Sequence, residues 1–275
     1  METTKGHYIF GTVKVGERGQ IIIPKEARQV FDIKAGDTLI VLGDEKWGIA
    51  VTKADVLEKH AYDVFKKIRR DRRMQTSNTA LFFLEDDCIR AFGQETGCTL
   101  LQQAEELYQD LCQHGNDRGN HVIEEHLQSR LFPLMSYYKA LLKHGIQEDQ
   151  ALLLVRETAH KAAIDKKAEM QKLGSLPFAY LIFRMGVKRH MKNHFPPEGW
   201  QTEWVRCNCQ EIHFNLHRCL YWDVTKQFGC PELCCVFCES DDISFSGLAP
   251  KINFLRNGTL GSGADCCDLH FIKAQ

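Results

Sequence analysis

The spacing of hydrophobic and polar positions changes character several times along this chain. Val13 and Val15 alternate with Thr12 and Lys14, residues 16–19 read as a glycine-bounded turn, and Ile21, Ile22 and Ile23 form a β-branched run stopped by Pro24. Alternation marks a half-buried strand. Glycine reaches positive φ without steric cost, and proline cannot extend a ladder but suits a first helical turn. The pattern therefore predicts strand, turn and strand, then a short helix over 26–30. Residues 32–37 read as a turn, 38–42 as a strand, 43–46 as a turn and 47–52 as a last short strand. So small a unit cannot own a core and must pair with something.

A longer period follows. Thr52 with Asp55 three positions on has the spacing of a capping box, which predicts a helix starting near Lys53. Its apolar stripe is Leu57, Ala61, Val64, Phe65 and Ile68. Residues 76–79, Thr-Ser-Asn-Thr, mark the expected boundary. From Leu81 to Phe195 the chain reads as helical. Leu100, Leu101, Ala104, Leu107, Leu111 and Cys112 keep helical spacing up to Gly115. Further helices are expected over 122–143, which Pro133 should kink or divide, over 147–173 and over 178–192. At Pro196-Pro197-Glu198-Gly199 the period falls to two. Ile212, Phe214 and Leu216 then point one way and Glu211, His213, Asn215 and His217 the other. Strands are expected also over 251–256 and 269–272, and 224–235 reads as helical.

Composition adds bounds. At 275 residues the chain has room for two domains, and 44% hydrophobic with 26% charged residues is an ordinary globular mixture. No apolar run approaches the roughly 18 to 20 residues of a membrane helix, and the N-terminus shows no apolar signal region. A cytoplasmic protein without a membrane partner is the expectation. Residues 1–75 carry 15 Lys and Arg against 11 Asp and Glu, whereas the remainder is acidic at 20 against 25. The run from Lys66 to Arg73 supplies most of the excess. A basic head is compatible with nucleic acid, although a charge run is also what a solvated helix face looks like. Of 12 cysteines, nine fall between Cys207 and Cys267. In a cytoplasmic chain such crowding favours metal-binding or reactive thiols over a disulfide framework.

Gly11, Val13, Val15, Gly19, Gln20, Ile21, Ile23, Pro24, Arg28, Ile33, Gly36 and Asp37 give residues 11–52 a close resemblance to the SpoVT-AbrB domain family. The resemblance implies a homodimer that interleaves two hairpins into one shared barrel, with a basic face for double-stranded DNA. Lys14, Arg18, Lys25 and Arg28 are the DNA-binding candidates. Guanidinium can bind guanine bidentately, so Arg18 and Arg28 are the better base readers. Gln20 and Gln29 stand where the family often has basic residues, which lowers the expected affinity because affinity grows with phosphates neutralised. Arg69, Arg70, Arg72 and Arg73 could compensate. The bland alternative is that this module only dimerises the chain.

Cys219 follows His217-Arg218, Cys238 precedes Glu239-Ser240-Asp241-Asp242, and Cys267 lies in Ala264-Asp265-Cys266-Cys267-Asp268. Together with Arg256, Thr259, Gly263 and Asp265, with 138–145 (Tyr-Lys-Ala-Leu-Leu-Lys-His-Gly) and with 195–200 (Phe-Pro-Pro-Glu-Gly-Trp), this frame resembles the L-2-amino-thiazoline-4-carboxylic acid hydrolase family over about residues 95–273. The resemblance implies hydrolysis at a cyclic amidine carbon–nitrogen bond beside a carboxylate. Such chemistry needs a nucleophile, a proton donor and a cation for the carboxylate. Cys219, Cys238 and Cys267 are candidate nucleophiles, and His213 and His217 are candidate acid–base or ligand-binding partners. Asp268 is a candidate orienting residue, and Arg256 a candidate carboxylate binder. A competing reading gives Cys219, Cys238 and Cys267 with a histidine to zinc or an iron–sulfur cluster. Cys234, Cys235 and Cys266 read as small buried hydrophobes.

The expected fold class is α+β: a swapped-hairpin β-barrel formed in a dimer over 6–53, a basic helical linker over 54–79, and a cysteine-rich domain over 80–275 combining helices with a small antiparallel sheet. Two functions remain. One is a DNA-binding transcriptional regulator whose C-terminal domain senses a small molecule, a metal or redox state, as a dimer or higher oligomer. The other is a hydrolase that uses the hairpin module for dimerisation.

Overall fold

The computed structural model describes Tyr8 and residues 10–44, 48–56 and 81–274, and the chain divides into two compact units, Met1–Lys59 and His60–Gln275. The architecture mixes helix and sheet: a small antiparallel hairpin in the first unit, and many helices with one small sheet in the second. The expected basic run from Lys66 to Arg73, the stripe from Leu57 to Ile68 and the boundary at 76–79 lie outside the described residues.

In the first unit the expected turn forms. Gly16 N donates to Gln20 O at 2.8 Å and Gly19 N to Gly16 O at 2.9 Å, with Gly19 at φ +78°. Residues 12–15 and 21–23 flank that turn, yet in the single chain they pair with no strand among the described residues, and Val13, Val15, Ile21 and Ile22 are exposed. Pro24 starts α1 (Lys25–Val30), whose Ala27 is buried. Asp37 closes the next turn by accepting from Lys34 N at 2.9 Å and by pairing with Lys53 Nζ at 3.0 Å. These contacts hold the Asp37 carboxyl below its ordinary range, chiefly through the Lys34 backbone. β1 (Leu39–Asp44) and β2 (Gly48–Lys53) form the antiparallel hairpin. Gly43 and Asp44 belong to β1, where a turn was expected. Residues 54–56 are helical, as expected, but Thr52 lies in β2 and its hydroxyl points to Lys53 O.

The second unit opens with α2 (Glu85–Phe92) and α3 (Gln94–His114), which ends at Gly115. Pro133 divides the next helix. α4 (His121–His126) widens into a π-turn over Leu127–Leu131 and runs directly into α5 (Phe132–Lys143), with the proline in its first turn; in the preceding turn Gln128 O accepts from Tyr108 Oη at 3.1 Å. α6 (Glu148–Ser175) and α7 (Ala179–His194) follow. The sheet comprises β3 (Trp200–Cys207), β4 (Glu211–Cys219), β5 (Ile252–Leu255) and β6 (Cys267–Lys273), in the antiparallel order β3-β4-β6-β5.

Residues 224–235 do not form one helix. α8 (Leu220–Gln227) stops before Gly229, which has φ +70°. A 3₁₀ turn at Pro231–Leu233 then leads into α9 (Cys234–Phe245). Phe271 joins these layers. Its ring lies 4.9 Å from Phe183 of α7, 5.1 Å from Phe245 of α9 and 4.8 Å from Phe254 of β5. α9 also packs along α6, and the following turn, Ser246–Leu248, lies so close to α6 that a Cβ on Gly247 would sit 2.3 Å from Lys167 O.

Candidate functional site

α9 presents Cys235, Cys238, Glu239, Asp242 and then Ser246 along one helical face, a 3–4 spacing that puts all of them on one wall. Opposite stands the end of β5 with Phe254 and Arg256, then Asn257, Gly258, Thr259 and Ser262. Between the two walls is a cavity of about 470 Å³.

Arg256 is the cation of this cavity. Its side chain is only 8% exposed, its guanidinium lies 5.2 Å from the Phe254 ring centroid, and Nη2 stands 3.1 Å from Asp242 Oδ1. Nε and Nη2 are buried and make no aligned hydrogen bond. Burying such donors unmatched costs free energy that an anion in the cavity would recover. Burial raises the Asp242 carboxyl, while the Arg256 charge opposes the rise.

Arg256 leads into a braced loop. Thr259 and Ser262 form a reciprocal capping box around the 3₁₀ turn Leu260–Ser262. Asp268 Oδ2 accepts from the Asn257 backbone at 3.3 Å and from its side chain, and Asp268 N donates to Gly258 O. Asp268 Oδ1 meets His213 Nε2 at 3.1 Å. The α9 wall is braced from α6, where Arg156 Nε and His160 Nε2 lie 2.7 and 3.2 Å from Glu239 Oε2.

Four thiols interact beside the cavity. The Cys238 thiol is held below its ordinary range, first by the hydrogen bond from Cys234, then by Thr259, with the Arg256 charge adding to the effect and burial opposing it. Cys234 is pushed up, since its proton serves Cys238 and its sulfur is buried. Burial raises Cys219 to about 12 and Cys267 to about 11. The Cys267 sulfur accepts from Leu260 N at 3.3 Å. Thiolate is the reactive form, so Cys238 is the poised member.

The structure thus gathers Cys219, Cys238 and Cys267 into one cluster, of which Cys238 lines the cavity with Arg256. It places His213 and His217 elsewhere. β4 buries Ile212, Phe214 and Leu216 on one face and turns its histidines to the other, where His213 stacks on His270 at 4.6 Å and His217 meets Glu203 at 2.7 Å. Cys267 lies opposite Leu216 on the buried face. Neither histidine lines the cavity. Asp268 does not line it and reaches it through Asn257 and Gly258. The reading of the residues missed Glu239, Asp242 and the role of Cys234, although the 3–4 spacing through 234–242 carried the signal. Cys235 lines the cavity and donates to Gly261 O at 3.1 Å, while Cys266 is half-buried. Among the described residues no group of three or more His, Cys, Asp or Glu is arranged to hold a metal ion.

In the first unit, Lys14, Arg18, Lys25 and Arg28 are all exposed, and none is in an ion pair with another described residue. Arg18 sits at the tip of the 16–20 turn, and Lys25 and Arg28 lie on α1.

Residues 124–271, more than half of the chain, match the family model described as L-2-amino-thiazoline-4-carboxylic acid hydrolase. Residues 12–55 match a second model, described as Antidote-toxin recognition MazE, bacterial antitoxin, which is AbrB-like. No curated protein and no solved structure gives a significant match to the chain. Among the described residues no helix is long and apolar enough to cross a membrane.

Proposed function

The chain belongs to the L-2-amino-thiazoline-4-carboxylic acid hydrolase family, and from that premise, joined to its antitoxin-like N-terminal segment, we propose that it is a DNA-binding transcriptional regulator controlled through its C-terminal cavity. Two copies interleave their 12–23 hairpins into one barrel and present Lys14, Arg18, Lys25 and Arg28 to duplex DNA. The observation that supports this most is the exposure of Val13, Val15, Ile21 and Ile22, an apolar set a single copy leaves in water. A second copy would cover it, and burial of such side chains contributes about 1.5–3 kcal/mol each. The cavity binds a small carboxylate, with Arg256 as its anchor. A gel-shift titration with genomic fragments tests the DNA reading: salt-sensitive binding supports it, and absence of binding at low ionic strength removes it.

One observation favours a catalytic reading as well. A thiol biased toward thiolate, Cys238, shares the cavity with the carboxylate-binding cation. With the carboxylate on Arg256, the Cys238 thiolate can add to an adjacent amidine carbon; the ring carbon–nitrogen bond then breaks as its nitrogen takes up a proton, and water displaces the Cys238 sulfur from that carbon, releasing the opened product and the free thiol. Glu239 and Asp242 line the same cavity and would carry the proton transfers. Ring opening of a cyclic amidine carboxylate that disappears in Cys238→Ala, while the ligand still binds, would establish the enzyme. Binding without turnover would leave the regulator.

A further inference from the structure

Cys234 and Cys238 are one turn apart on α9, and they differ in every respect that matters to oxidation. Cys238 lines the cavity, where a molecule as small as a peroxide can reach it. Cys234 is 1% exposed, and its sulfur lies 3.1 Å from the position a Cβ on Gly261 would take. The pairing of the two thiols raises Cys234 and lowers Cys238. An accessible sulfur biased toward thiolate beside a buried thiol is the arrangement of an attacking and a resolving cysteine.

From this pairing we propose that Cys238 is a peroxide-oxidation site and that Cys234 resolves it to an intrahelical disulfide. The Cys238 thiolate attacks one peroxide oxygen: an S–O bond forms, the O–O bond breaks, and the departing oxygen leaves with the electron pair and takes up a proton as water. Cys234 then loses its proton and attacks the Cys238 sulfur. The S–S bond forms, the S–O bond breaks, and a second water leaves. The two cysteines together give up two electrons and the peroxide is reduced.

The position on the helix makes this feasible. Residues four apart in a helix have Cα atoms about 6.2 Å apart, inside the roughly 4.4–6.8 Å span of disulfides, but their Cβ atoms are farther apart than the bridge prefers. Cys234 is the first residue of α9, directly after the Pro231–Leu233 turn. The first turn of a helix has the fewest intrahelical bonds to break, so it can yield locally. Closing the bridge would shift the start of the wall that carries Cys238, Glu239 and Asp242. Oxidation would therefore close or distort the cavity, whichever ligand it takes.

The test is peroxide treatment of the full chain followed by peptide mass mapping. Tryptic cleavage isolates residues 227–251, which hold Cys230, Cys234, Cys235 and Cys238. The expected product is that peptide lighter by two hydrogens, formed about tenfold faster than any oxidation of the exposed Cys98 or Cys209. Cys234→Ser should lose the bridge and instead leave a sulfenic acid on Cys238 that dimedone traps. Cys238→Ser should show neither product. A bridge that survives Cys234→Ser, or a Cys238 no faster than the exposed cysteines, overturns the proposal. Thiol counting and circular dichroism on the reduced variants separate a misfolded chain from an unreactive one. Ligand binding by the reduced protein is untouched by either outcome.

Discussion

Arg256 Nη2 stands 3.1 Å from Asp242 Oδ1, and this ion pair links the two walls of the cavity, from the end of β5 to α9. Asp242 is half exposed while the guanidinium is not. The carboxylate can swing to water, whereas the cation is fixed by burial and by the Phe254 face. An incoming carboxylate would replace Asp242 on Arg256. Arg256→Gln should weaken carboxylate binding about 10- to 100-fold, the range for a charge-assisted hydrogen bond. Arg256→Lys should recover part of the loss, and isothermal titration calorimetry reads both.

Cys238 reactivity should depend on pH with a definite sign. Its thiol is held below the ordinary range while Cys267 is raised to about 11, so Cys238 remains thiolate at pH values where Cys267 is protonated. Iodoacetamide near neutral pH should therefore label Cys238 first. Cys234→Ala removes the hydrogen bond that contributes most, so the midpoint of labelling should move to higher pH. Labelling at a series of pH values with mass detection measures both midpoints.

Exposed Ile22 belongs to the expected dimer face. Ile22→Asp should give a monomer by analytical ultracentrifugation and abolish DNA binding. Arg18→Ala should leave the dimer intact and reduce the salt dependence of DNA binding by about 1 per copy.

Phe271 closes the aromatic cluster behind the cavity. Phe271→Ala should destabilise the second unit by about 3–5 kcal/mol. Gly247→Ala should also destabilise, by about 1–3 kcal/mol, because the new methyl group would meet the Lys167 carbonyl on α6. Chemical denaturation checks the pair.

Much of the fold was legible because its punctuation is local. Gly115 ends a helix and Pro133 divides one, and both act within a single turn. Alternation gave β4 directly, since one face is buried and the other is not. β3 escaped notice because it is an edge strand whose register slips at Gln201/Thr202 and Trp204/Arg206, which breaks the alternation. α9 was hidden by its own composition: Cys234, Val236 and Ser244 are buried, and its polar residues line a cavity rather than face bulk solvent. Cys238 and Arg256, which line the cavity, were among the candidates the sequence offered, whereas His213 and His217 lie on the face of β4 opposite Ile212, Phe214 and Leu216 and do not line it. The strands expected over 12–15 and 21–23 are unpaired among the described residues.

The regulator account stands or falls on coupling between cavity and DNA. The direct measurement is the affinity of the full-length protein for a bound genomic fragment at fixed salt, with and without a saturating cyclic amidine carboxylate, in the wild type and in Arg256→Gln. The account predicts salt-sensitive binding whose affinity changes by about 5-fold or more with the ligand in the wild type and not in the variant. An affinity that the ligand leaves unchanged while calorimetry shows the cavity filled would contradict it.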